Sequence, residues 1–119
     1  MRAKIKIVAL IVIALVFMPL CVFATLIPLT DCSKLKNPKT ILVVHASWCP
    51  ACKQYMPVYT GISNDKKYKN WTFYEKTDDN WSKVCDAVIP DVPHVFVDNM
   101  KELPDGDNVG VLTKYLNTH

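Results

Sequence analysis

A chain of 119 residues has room for one domain and no more. Half of its residues are hydrophobic and its formal charge is +3, but Arg2, Lys4 and Lys6 account for that charge, leaving 11 basic against 11 acidic residues in the rest. That balance, without a basic patch interleaved with aromatics, speaks against a nucleic-acid-binding domain. The three early cations precede an uninterrupted apolar run from Ile7 to Met18, and Val22-Phe23-Ala24 offers residues at the positions a signal peptidase reads. Residues 1–24 therefore read as a signal peptide cleaved after Ala24. The alternative is an uncleaved membrane anchor, although the stretch is short for a span of about 20 residues. Leu20-Cys21 makes a poor lipoprotein site, because a bulky residue precedes the cysteine.

Residues 25–39 read as an irregular arm, punctuated by Pro28 and Pro38. From Thr40 to Ala46 the chain is almost continuously apolar and β-branched, the pattern of a strand buried on both faces of a helix-covered sheet. A helix is expected from Pro50 to about Ile62, with Cys52, Tyr55, Met56, Tyr59 and Ile62 on its inner face and a kink at Pro57. The cluster Lys66-Lys67-Tyr68-Lys69 reads as a solvated helix end. Trp71 to Glu75 is rich in strand formers, and a strand–helix–strand unit of this length implies a parallel pair with a right-handed crossover. Thr77-Asp78-Asp79-Asn80 is turn chemistry able to cap a short helix over Trp81 to Val88. His94 to Asp98 and Met100 to Leu103 suggest a hairpin turning at Asp98-Asn99. A closing helix over Asn108 to Asn117 is expected to turn Val109, Leu112, Tyr115 and Leu116 inward. The predicted order over residues 40–119 is β-α-β-α-β-β-α, an α/β domain with a mixed four-stranded sheet flanked by helices.

The chemistry centres on Ala46-Ser47-Trp48-Cys49-Pro50-Ala51-Cys52-Lys53, where the first strand ends and the helix begins. Unpaired backbone N–H groups and the positive end of the helix dipole gather at such a point, an environment that favours a thiolate nucleophile. Pro50 suits the first helical turn because its φ is preset and its missing N–H is not needed there. Cys52, one turn on, is placed to attack a mixed disulfide formed at Cys49. Trp48-Cys49-Pro50-Ala51-Cys52-Lys53 resembles the active-site motif of the thioredoxin superfamily. Pro57 stands where thioredoxins carry a helix-kinking proline, and Val92-Pro93 resembles the segment that bears their cis-proline. The resemblance covers roughly residues 39 to 116, and the predicted element order is that of the minimal thioredoxin fold.

The resemblance implies a thiol:disulfide oxidoreductase acting on protein thiols and disulfides, with Cys49 as nucleophile and Cys52 as resolving thiol. It further implies that Trp48 shields the loop and contacts substrate, and that Pro93 is cis and shapes the docking groove. Val92 would offer its backbone to an extended substrate strand. No external cofactor is implied, but a redox partner must reset the site after each turnover. Contact with a membrane is expected only if the N-terminal segment stays uncleaved. The compact chain has no room for the helical insertion of Dsb-type oxidases, which favours a reductase that keeps selected exported proteins reduced.

One departure stands out. Thioredoxins bury an acid six positions before the first cysteine, where it helps move the proton of the resolving thiol, and this chain has Val43 there. Glu75, at the end of the second predicted strand, is the nearest carboxylate that could take over this proton transfer, but nothing in the sequence places it near Cys52, and a solvated surface carboxylate is the favoured reading. His45 and His94, flanking the motif and Pro93, are candidate modulators of the thiols, with a satisfied core histidine the competing reading at His45. Of the remaining cysteines, Cys21 falls in the N-terminal segment. Cys32 and Cys85 are left with three open readings: a bridge tying the arm to the domain, one of them as an auxiliary redox thiol, or two buried free thiols. Cys49, Cys52, His45 and His94 are donors that suit zinc or copper(I), but zinc ribbons usually pair two Cys-x-x-Cys units and this chain has one. A hydrolytic role for Cys49 is disfavoured, since Cys52 would trap it as a disulfide. The rival from another class is a non-catalytic binding module that holds a partner in the Val92–Pro93 groove.

Overall fold

The computed structural model describes residues 26–80 and 82–119. The signal-peptide reading of residues 1–24, and Trp81 at the head of the predicted second helix, lie outside the described residues. The elements run β1 (Ile27–Pro28), a 3-10 turn (Cys32–Lys36), β2 (Thr40–His45), α1 (Pro50–Ser63), a second 3-10 turn (Lys66–Tyr68) and β3 (Thr72–Thr77). There follow β4 (Lys83–Val84), β5 (Ala87–Val88), β6 (His94–Val97), β7 (Lys101–Glu102) and α2 (Val109–Thr118). The main sheet has the order β1-β3-β2-β6-β7. β2 and β3 are parallel, as the strand–helix–strand spacing predicts, and β6 and β7 add antiparallel.

Side-chain alternation along β2 divides the core. Ile41 and Val43 join Tyr55 and Tyr59 of α1 and Leu112 and Leu116 of α2, so both helices lie on one face of the sheet. Leu42 and Val44 point the other way, against Leu35, Val84, Ile89 and Phe96. All four β2 residues are fully buried, which accounts for the unbroken apolar run. The second 3-10 turn keeps Lys66 and Lys67 exposed while Tyr68 is buried, so the cationic cluster is a solvated rim. Within α2, Leu112 and Leu116 are inward, but Val109 is exposed at the first turn, contrary to expectation.

Two expectations are corrected on the face opposite the helices. No helix forms over the predicted 81–88 stretch; its described residues build the β4–β5 hairpin instead. The β-branched Val84 and Val88 suit extended backbone, and Cys85 and Asp86 take left-handed φ values of 51° and 66°, the conformation of a two-residue hairpin turn. A helix of eight residues would have had little intrinsic stability to set against this. The arm is not irregular throughout either. Its β1 pairs in parallel with β3, matching Ile27 to Tyr74 and Pro28 to Glu75, and raises the sheet from four strands to five. Arm and hairpin together cover the face where a helix was expected, and a Cys32–Cys85 disulfide joins them, with Cα atoms 5.6 Å apart. The bond excludes the reading of Cys32 and Cys85 as two free thiols and matches the bridge between arm and domain.

Candidate functional site

Cys49 is the N-cap of α1, and its sulfur accepts a hydrogen bond from the Cys52 backbone N–H at 3.1 Å. Pro50 occupies the first turn, as its fixed φ and missing donor allow. Both thiols are free and nearly covered, Cys49 at 4% and Cys52 at 1% exposure. Burial, followed by the hydrogen-bonded contact with Cys49, pushes the Cys52 thiol up to about 11. The pair is thus asymmetric: Cys49 receives the N–H at the helix start, and Cys52 is held protonated beneath it.

The Val92–Pro93 peptide is cis. It brings the Val92 carbonyl to within 3.6 Å of the Cys49 sulfur, which donates to it, and Val92 packs against Ala46, Cys49 and Cys52. A segment more than forty residues distant along the chain therefore closes one side of the cysteine loop. Trp48 stands half exposed beside it. The loop is held from the other side by Asp79, a residue that sequence reasoning read only as turn chemistry. Its carboxylate accepts from the Ser47 backbone N–H at 2.7 Å and the Ser47 hydroxyl at 3.0 Å, and its carbonyl accepts from the Trp48 indole at 3.2 Å.

The two candidate histidines part company. His45 lines an open cleft of about 230 Å³ with Ala46, Ser47, Cys52, Lys53 and Met56. Its Nε2 lies 3.1 Å from Glu75 Oε2. Glu75 is consequently not the solvated carboxylate expected: it is paired and partly buried under α1. A signal for this was present in the sequence, because Glu75 follows Phe73 by two residues in a strand and so shares its inward face. His94 is held by other partners. Its ring nitrogens each sit 2.9 Å from a carboxylate, Asp91 on one side and Glu102 on the other, and its ring packs edge-on against Phe96. The four donors considered for a metal therefore do not converge, and among the described residues no cluster of three such side chains does.

A mixed sheet with both helices on one face, a Cys-x-x-Cys pair at the start of the first helix and a cis-proline beside it define a thioredoxin-like fold. Among solved structures, the chain is similar to thioredoxin (Mala s 13) of Malassezia sympodialis, with a TM-score of 0.57 and 17% identity over 82% of this chain and 94% of that one. It is also similar to thioredoxin f2 of Chlamydomonas reinhardtii, with a TM-score of 0.52 and 19% identity over 79% of this chain and 97% of that one. At such identities the likeness establishes the fold. No family model matches the chain, and no curated protein matches it in sequence.

Proposed function

We propose that this protein is an exported thiol:disulfide oxidoreductase that reduces disulfides in protein substrates. The observation that carries the proposal is the seating of Cys49: at the head of α1, over a protonated Cys52, with the Val92 carbonyl 3.6 Å from its sulfur. In the reductive direction, Cys49 thiolate attacks one sulfur of a substrate disulfide, and the other substrate sulfur leaves with the electron pair and takes up a proton. Cys52 then attacks Cys49, the internal disulfide forms, and the second substrate thiol departs. The substrate gains two electrons and the cysteine pair loses two, so a further thiol donor must restore the dithiol. Val92 and cis-Pro93 offer an extended edge for the substrate backbone, and half-exposed Trp48 offers an apolar wall. Export is supported by the cationic start and apolar run of residues 1–24.

The test is to incubate the Cys52→Ser protein with a disulfide-bonded protein and look for a covalent adduct by non-reducing electrophoresis. The expected adduct is stable, is released by dithiothreitol, and is absent when Cys49→Ser is introduced as well. Direction is read from the reduction potential. A value near −270 mV places the pair at the thioredoxin end of the range and supports a reductase, whereas one near −120 mV would make it a disulfide donor. Absence of any adduct or exchange would leave the fold as a binding module that uses the Val92–Pro93 groove.

A further inference from the structure

We infer that the His45–Glu75 pair is the proton acceptor for Cys52, acting across the cleft that His45 and Cys52 both line. The inference rests on the redox reading above and deepens it. A thiol must shed its proton before it can attack, and burial works against that at Cys52, which is almost wholly covered and is pushed up to about 11 in the dithiol form. The position six residues before Cys49 offers no base, since Val43 is fully buried and apolar. The sheet supplies one next door. Val43 and His45 share the α1 face of β2 by alternation, and the parallel register sets Glu75 of β3 directly beside Val43. From there the Glu75 carboxylate reaches His45 Nε2 at 3.1 Å, with the two side chains 30% and 18% exposed. The pair is thus sheltered enough to be ordered and wet enough to return a proton to solvent. The open cleft of about 230 Å³ that both residues line is wide enough to admit water, which can carry a proton from one to the other.

The surroundings leave few rivals. Lys53 lines the same cleft as a cation and accepts no proton there. Tyr59 hangs above β3, its phenol kept well above the ordinary range by burial and then by Tyr55 and Glu75, so it stays protonated. From the loop after β3, the Asp78 backbone N–H donates to the His45 carbonyl. The buried Asp78 carboxylate accepts from Ser82 through Oδ1 and leaves Oδ2 unpartnered, but Asp78 does not line the cleft; the Asp79 carboxylate is taken by Ser47. β1 presents Pro28 opposite Glu75. His94, on the strand at the other side of β2, turns its ring to Phe96, Asp91 and Glu102.

With Cys49 joined to substrate, the Cys52 proton passes through the cleft to the pair, and Cys52 thiolate attacks Cys49. The Cys49–Cys52 bond forms as the bond from Cys49 to the substrate sulfur breaks. Its electrons leave on that sulfur, which is protonated from solvent, and the pair returns its own proton to solvent.

The experiment separates the two thiol steps by stopped-flow with a disulfide-bonded peptide as probe, in His45→Gln and Glu75→Gln, each with Cys52 intact and with Cys52→Ser. Formation of the Cys49 adduct, read in the Cys52→Ser backgrounds, is expected to change far less than its resolution. With Cys52 intact, resolution at pH 7 should slow by roughly a hundredfold in both variants, the lower end of general-base assistance, and the deficit should close as pH approaches 11 and hydroxide takes over. A purely structural role would slow both steps and would not be relieved by alkali. Adduct formation with wild-type resolution rates, or a deficit that persists at high pH, overturns the inference while leaving the redox reading intact. Failure of Cys52→Ser alone to form any adduct overturns that reading itself.

Discussion

Cys52 carries a pH dependence whose sign follows from its burial. Its thiol titrates near 11 in the folded protein against 9.0 for an ordinary cysteine thiol. Between those values the unfolded chain has released a proton that the folded chain keeps, so stability falls as pH rises; below pH 9 the contribution is complete. Tyr55 and Tyr115 are also raised by burial and add slopes of the same sign at higher pH, whatever the state of the cysteines. The difference between forms isolates the thiols: chemical denaturation from pH 8 to 11 should show the dithiol protein losing stability relative to the Cys49–Cys52 disulfide form. Parallel curves for the two forms would deny the raised thiol. Much at this scale was legible in advance. Cys49, Cys52, cis-Pro93 and its neighbour Val92 occupy the positions that their motifs imply, because a strand end, a helix start and a proline leave local marks in sequence. Asp79 left none of that kind, and Glu75 left only its alternation with Phe73, which gives its face but not its partner. Their roles depend on which strand lies alongside and on how the loop after β3 folds back over Ser47, matters set by register rather than by residue type.

Among the elements, β2, α1, β3, β6 and α2 were legible from periodicity, since each buries one face or two against a neighbour. The stretch after β3 misled because turn chemistry at Thr77–Asn80 prepares equally for a helix or for a hairpin. The choice fell to a tie with Cys32, 53 residues earlier, and to left-handed backbone at Cys85 and Asp86. The segment between β7 and α2 is set by a close approach. A Cβ added at Gly106 would stand 2.7 Å from the Val95 Cβ and 3.1 Å from the Leu103 carbonyl, while the Gly106 carbonyl accepts from the Tyr55 hydroxyl at 2.9 Å. Val95 is two residues past Pro93 in the buried centre of β6, so it has no free direction in which to yield. Gly106→Ala should therefore destabilise the protein by about 1–3 kcal/mol, the range for overpacking a filled core, seen as a lower urea midpoint. An unchanged midpoint would mean that the β7–α2 connection moves without cost.

Over the described residues the molecule is lopsided: α1 and α2 shield one face of the sheet, and an arm plus a two-stranded hairpin shield the other. Neither of the latter covers would hold well alone, and the Cys32–Cys85 bridge closes a long loop between them. Replacing both cysteines by serine should cost about 2–4 kcal/mol, measured by denaturation with Cys49 and Cys52 kept reduced in all samples. A loss much below 1 kcal/mol would show that Leu35 and Val84 hold the covers in place by packing alone. The bridge has a further consequence for how the protein is made. Synthesis runs from the N-terminus, so Cys32 is followed by Cys49 and Cys52 before its partner Cys85 is made. Either early partner closes a shorter loop than the correct one. The correct bridge thus closes the longest of the three loops open to Cys32 among the described cysteines, and it forms only after the residues of both helix-proximal thiols are already in the chain.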